Sequence, residues 1–194
     1  MDRRIVGNGM GRERWTGIGL VCAGIALLSA SDARGEVLDA TPNGFTLKTT
    51  VTVAAWRHGV YDALVTGVGR WWDKEHTYSG DAKNLSINAA PGGCFCEALP
   101  PPGGGVQHAM VVLAMPGKTL RMVGSLGPLQ ESGLVGALTF DLADRGAGTD
   151  VTMTYSVGGY RQGGLESLAP VVDSVLGAQL ARLKSFVEKG TPTP

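Results

Sequence analysis

Hydrophobic positions change their spacing several times along the chain, and each spacing predicts an element. Residues 45–54, FTLKTTVTVA, alternate: Phe45, Leu47, Thr49, Val51 and Val53 share one face, with Thr46, Lys48, Thr50 and Thr52 on the other. A period of two, rich in Thr and Val, predicts a strand. Trp56, Val60, Leu64 and Val68 then recur every four residues, the spacing of one helix face. Gly59, Gly67 and Gly69 weaken that helix, so one or two short helices ending near Trp71 are expected. The polar stretch 73–83 reads as a loop. Six short strand-like segments follow, at 85–89, 94–99, 106–115, 119–125, 135–143 and 149–157. Turn-forming stretches separate them, among them Pro91-Gly92-Gly93, the PPPGGG run at 100–105, Pro116-Gly117-Lys118 and Asp144-Arg145-Gly146. Last, Leu168, Val171, Val172, Val175, Leu176, Leu180, Leu183 and Val187 keep a helical period. Pro170 suits its first turn, and Gly190 with the TPTP tail ends it.

Short connections make sequential strands antiparallel neighbours. An antiparallel sheet has one face to bury, and the terminal helix carries the stripe to bury it. The expected fold class is therefore α+β: a curved antiparallel sheet around one long C-terminal helix, with two short helices after the first strand. Two-layer designs of this kind leave room for a pocket between sheet and helix.

Composition changes the picture at the N-terminus. The 194 residues carry 17 Lys+Arg against 17 Asp+Glu. Residues 1–35 hold five of the arginines and three of the acids, and no charge occurs from Trp15 to Ser31. A basic start, an apolar run and the small residues Ser29, Ala30, Ser31 and Ala33 match a secretory signal, with cleavage after Ser31, Ala33 or Gly35. The alternative is an uncleaved membrane anchor, at the short limit of spanning length. The reading is thus a signal at 1–35, a linker at 36–44, a domain at 45–189 and a disordered tail at 190–194. The remainder after residue 35 carries 12 basic against 14 acidic residues, net −2, which argues against a nucleic-acid partner. A periplasmic or secreted monomer or weak dimer follows, with no membrane contact beyond the signal.

The order and spacing of several short motifs resemble the START-like helix-grip superfamily (SRPBCC). They are Pro91-Gly92-Gly93, Pro116-Gly117-Lys118-Thr119-Leu120-Arg121, Gly127-Pro128-Leu129-Gln130, Gly148-Thr149-Asp150-Val151-Thr152 with Tyr155, and the terminal helix. The branch most similar contains activators of heat-shock-protein ATPase and polyketide-cyclase-like proteins. The resemblance spans residues 45–188 and implies a seven-stranded sheet gripping the helix, with an apolar cavity. It does not imply one chemistry, since members bind lipids, cyclise substrates or assist chaperones.

Candidate ligand contacts are Trp71, Trp72, Cys94, Cys96, His108, Met110, Arg121, Leu129, Tyr155, Val172 and Leu176. Of the two tryptophans, one is expected to pack and the other to line a cavity mouth. Cys94 and Cys96 project from one strand face; they are packing residues, a disulfide poorly matched to i,i+2 spacing, or a soft-metal pair with His108. That spacing is no standard zinc pattern, so neither metal nor cofactor is expected. His108 is expected to share a face with Val106, Met110 and Val112, as a structural histidine or a cavity acid/base. Arg121 and Glu97 form either a polar-headgroup anchor or a surface pair. The Gly127–Gln130 loop is a gate or a stiff connection. No nucleophile elbow, phosphate-binding loop or H-E-x-x-H motif occurs, so no catalytic residue is assigned. The expected function is binding of a small hydrophobic ligand, whether lipid, polyketide-like or aromatic. The alternatives are an enzyme of the same fold using His108 with Glu97 or Arg121, and a chaperone-assisting interaction module.

Overall fold

The computed structural model describes residues 34–192. The signal or anchor reading therefore lies outside the described residues up to residue 33, as does the end of the tail.

The described residues form eight strands: β1 (Arg34–Thr41), β2 (Gly44–Val53), β3 (Leu85–Ile87), β4 (Cys94–Ala98), β5 (Gly105–Met115), β6 (Thr119–Gly124), β7 (Val135–Arg145) and β8 (Gly148–Gly158). Two short helices, α1 (Arg57–Thr66) and α2 (Val68–Trp71), follow β2, and α3 (Ala169–Lys189) ends the fold. The strands form one antiparallel sheet in the order β1-β2-β8-β7-β6-β5-β4-β3. The architecture is α+β, a curved sheet gripping a C-terminal helix, with one strand more than expected. That strand is β1, which overlaps the segment read as a linker. Residues 35–41 are exposed throughout, so no apolar alternation marks them. Their pairing with β2 rests on backbone hydrogen bonds, with Leu38 as the extra residue at a bulge.

β2 obeys its pattern: Phe45, Leu47, Thr49, Val51 and Val53 are all buried. α3 covers the β1–β2 side of the sheet and buries Leu176, Leu180, Leu183 and Phe186. Each such burial contributes about 1.5–3 kcal/mol. The helix stops at Gly190, whose φ of 75° is left-handed and whose N–H donates to the Phe186 carbonyl at 2.8 Å. Its last turn is tied to the end of β2: Lys184 donates to the Thr52 carbonyl, and Glu188 accepts from the Ala54 N–H at 2.8 Å.

Leu183→Ala is expected to cost about 2–5 kcal/mol in urea denaturation, because Leu183 is fully buried between helix and sheet. Val171→Ala, at a position 60% exposed on the same helix, is expected to change stability by less than about 0.5 kcal/mol.

Candidate functional site

An irregularity in the sheet positions the site. Phe95 of β4 pairs with Ala109 of β5, and Cys96 pairs with Gln107, which leaves His108 as the extra residue of a β-bulge. The bulge shifts the in–out alternation by one. His108 and Ala109 are both buried, whereas Met110 and Val112 turn outward, 45% and 46% exposed. This corrects the expectation that His108 shares a face with Met110 and Val112. Gly124 of β6 lies opposite, paired with Ala109. A Cβ there would run into the His108 carbonyl oxygen, so the close approach requires glycine.

The inward imidazole meets a buried carboxylate. His108 Nε2 lies 3.0 Å from Glu97 Oε2, and Glu97 is 1% exposed. Glu97 also accepts from the Tyr78 N–H at 3.1 Å and the Ser79 N–H at 2.5 Å. Burial pushes the Glu97 carboxyl up, but the hydrogen bonds from Ser79, Tyr78 and His108 outweigh it and hold it below its ordinary value. For His108 burial wins over the Glu97 charge, and its pKa is lowered. A neutral His108 therefore donates Nε2–H to a charged Glu97.

Beside this pair lies a cavity of about 480 Å³. Phe95 and Leu85 of the sheet, Val172, Val175 and Leu176 of α3, and Leu129 of the loop after β6 form apolar walls. Trp72, Tyr78 and His108 complete an aromatic side, with Phe95 5.5 Å from Trp72 and 5.0 Å from His108 between ring centroids. The polar lining residues besides His108 are Glu75, His76, Thr77, Tyr78 and Glu131; among the described residues no Lys or Arg lines the cavity. Tyr78 and Val171, both exposed, stand at its mouth.

Two loops close the rim, and both are fastened. Tyr78 Oη donates to the Gly127 carbonyl at 3.0 Å, joining the loop before β3 to the loop after β6. The Leu126 N–H donates to Tyr155 Oη at 3.3 Å, and Ser125 Oγ donates to the Leu134 carbonyl. Gln130 Nε2 donates to the Gln107 carbonyl at 2.8 Å. On the other side Asp73 N–H donates to Gln179 Oε1 of α3 at 2.8 Å. Burial pushes the Tyr155 hydroxyl up to about 12, with the Leu126 hydrogen bond opposing it in part.

Of the candidate contacts, Trp72, His108, Leu129, Val172 and Leu176 line the cavity. The others lie elsewhere. Trp71 is a core residue whose Nε1 donates to the Ala63 carbonyl at 3.2 Å. Tyr155 supports the loop from beneath. Met110 is turned out by the bulge. Arg121 is exposed and donates through Nε to Thr139 Oγ1 at 3.0 Å, so it does not pair with the buried Glu97. Cys94 and Cys96 alternate with the buried Phe95 and Glu97, which places them on the opposite face from the cavity. They are joined in a disulfide, contrary to the expectation from spacing. Their Cα atoms are 5.3 Å apart, within the ~4.4–6.8 Å that disulfides span. Among the described residues no His/Cys/Asp/Glu group could hold a metal, and no helix is long and apolar enough to cross a membrane. Tyr78, Glu75 and Glu131 were not legible as site residues, because nothing in a polar loop marks which side chain turns inward. Val175 was legible, through its place in the α3 stripe.

No protein-family model and no curated protein matches the chain. Solved structures do share its fold. A conserved protein of unknown function from Enterococcus faecalis superposes with a TM-score of 0.57 at 14% identity, covering 84% of this chain and 80% of its own. Aha1 from Colwellia psychrerythraea, described as a dimer, gives 0.54 at 21% identity, covering 75% and 97%. An uncharacterised protein from Rhizobium leguminosarum gives 0.54 at 19%, covering 81% and 98%. At these identities the likeness establishes the fold and nothing about chemistry.

The Glu97–His108 pair dictates a pH dependence of stability. The lowered His108 pKa makes the unfolded chain bind the proton first, so stability falls as pH drops below about 6.5. The lowered Glu97 pKa adds stability that is present above about 4.3 and lost as pH falls through the folded value. Both act in one direction. Urea unfolding between pH 8 and 5 is expected to show stability declining on acidification, and His108→Phe is expected to flatten the decline between pH 7 and 5.

Proposed function

We propose that this chain is an exported helix-grip protein of the START-like type that binds a small, mostly apolar molecule in the cavity between α3 and the sheet. The observation that carries the reading is the cavity itself: about 480 Å³, within the ~300–1,000 Å³ range of ligand pockets, with apolar walls and one buried polar pair. An apolar space of that size is wasteful unless something fills it, since interiors otherwise pack to crystal density. The order of motifs from Pro91 to Tyr155 supports the superfamily reading. The mature surface, at net −2, favours neither nucleic acid nor an anionic membrane. A monomer or weak dimer is the proposed state.

Export is supported by the basic-then-apolar N-terminal sequence and by the Cys94–Cys96 disulfide, a bond that persists in oxidising compartments. β1 begins at Arg34, so cleavage after Ser31 or Ala33 keeps the strand whole and cleavage after Gly35 trims it. N-terminal sequencing of protein from the periplasmic fraction or medium is expected to start at Asp32 or Arg34. Intact residues 1–35 on a membrane-bound product would sink the cleaved-signal reading.

The second reading, an acid–base enzyme, is favoured by one observation, the convergence of Glu97 and His108 at the cavity wall. Calorimetric titration of the folded protein with naphthalene tests the cavity, and Val172→Trp fills it. Saturable binding is expected in the native protein, with a loss of tenfold or so in the filled variant. No binding, or binding indifferent to Val172→Trp, would overturn the proposal. A change in mass of a bound natural ligand during incubation would favour the enzyme.

A further inference from the structure

The pocket's polar equipment is one-sided. His108 is 5% exposed and lines the cavity. Its Nε2 is engaged with Glu97 at 3.0 Å. A charged carboxylate accepts only, so this contact fixes the proton on Nε2 and leaves Nδ1 as a bare acceptor. Among the described residues no hydrogen bond engages Nδ1, and it is not among the sealed, unpartnered polar atoms, which are Tyr61 Oη, Asp173 Oδ1 and Gln179 Nε2. Nδ1 is thus neither hydrogen-bonded nor sealed, and His108 is one of the residues that line the cavity. The ring is held in place by Phe95 at 5.0 Å and Tyr78 at 5.9 Å between centroids. The charged residues at the lining, Glu75 and Glu131, are acids, and Glu97 lies behind His108.

We infer that the cavity selects neutral molecules carrying a hydroxyl group on an apolar body, alcohols or phenols, whose O–H donates to His108 Nδ1, and that it rejects carboxylates. The inference rests on the proposed ligand-binding reading and narrows it to a chemical class. An acceptor fixed in an apolar wall rewards a donor and penalises a ligand that leaves it unpaired. A carboxylate brings no donor at neutral pH, meets no Lys or Arg among the described lining residues and faces two acids, Glu75 and Glu131, with Glu97 behind His108. A plain hydrocarbon displaces whatever water solvates Nδ1 and returns no hydrogen bond. Glu97 thus acts as a positioning residue: it sets the tautomer through which His108 reads the ligand.

The test uses three probes of one shape, 2-naphthol, naphthalene and 2-naphthoate, titrated calorimetrically at pH 7.5 into the folded protein and into His108→Phe and Glu97→Gln. In the native protein 2-naphthol is expected to bind about tenfold or more tighter than naphthalene, and 2-naphthoate more weakly than either. His108→Phe is expected to bring 2-naphthol and naphthalene within about threefold of each other while naphthalene still binds. Nitrogen-15 spectra of the native protein, which do not depend on any variant folding, are expected to show His108 as the neutral Nε2–H tautomer. In Glu97→Gln the tautomer is no longer imposed, and the hydroxyl preference is expected to shrink. Equal binding of 2-naphthol and naphthalene by the native protein, a preference that survives His108→Phe, tight binding of 2-naphthoate, or an Nδ1–H tautomer would each overturn this inference and leave the cavity reading intact. Binding of none of the three would overturn both.

Discussion

A carboxylate buried beside an apolar cavity is the constraint that organises this site. Glu97 is 1% exposed, and a charge so placed is tolerated only where donors converge on it. Three do, from two separate stretches of chain: the Tyr78 and Ser79 amides from the rim and His108 from β5. Satisfying Glu97 therefore fixes the rim loop against the sheet and orients the histidine. Tyr78, once held by its own amide, reaches Gly127 with its hydroxyl and fastens the second loop. One buried charge thus specifies the geometry of a whole rim that apolar packing alone would leave degenerate.

The cavity has an equally physical origin. α3 packs on the β1–β2 side of the sheet, with α1 and α2 against it, and its lower stripe of Leu180, Leu183 and Phe186 is fully used there. Toward its N-terminal end the helix carries Val172, Val175 and Leu176 over the β4–β5 region. There the opposite wall is Phe95, His108 and the two loops rather than another layer of large aliphatics. The helix must bridge a curved sheet, and the space left under its first turns becomes the pocket. The same bulge that admits His108 turns Met110 and Val112 outward and Ala109 and Val111 inward, so a polar side chain joins the wall beside the apolar ones.

Most of the fold was legible because it depends on periods. Six of the strands after the short helices, and the helices themselves, follow alternation or a 3.6 spacing, and the structure places them within a few residues of those patterns. β1 was not legible, since a strand exposed throughout has no reason to alternate. The site was legible only where it lies on a regular face. Val172 and Leu176 follow from the α3 stripe. His108 lines the cavity, but the strict alternation that assigned its neighbours fails at a bulge. Met110 is misplaced by that failure, whereas Cys94 and Cys96 sit on a strand that alternates regularly, and nothing in its sequence marks which of its two faces meets the cavity. Arg121 and Glu97 are complementary in charge, but the sheet puts them on opposite faces, Arg121 exposed and Glu97 buried.

A hydrogen-bonded histidine in such a wall also limits which functions are compatible with the pocket. The Nε2–H tautomer is maintained only while Glu97 is charged and His108 neutral, which burial and the rim amides together favour near neutral pH. Protonating His108 would place a cation in an apolar wall, offset by Glu97 but exposed to no other acceptor among the pair's described partners. The site is therefore poised as an acceptor rather than as an acid. An acceptor on a ring in contact with Phe95 and Tyr78 recognises direction as well as chemistry, because a lone pair in the ring plane admits a donor along one line. On the proposed reading the apolar walls supply affinity without discrimination. The orientation of the bound molecule then follows from a single nitrogen, set by a carboxylate that never touches the ligand.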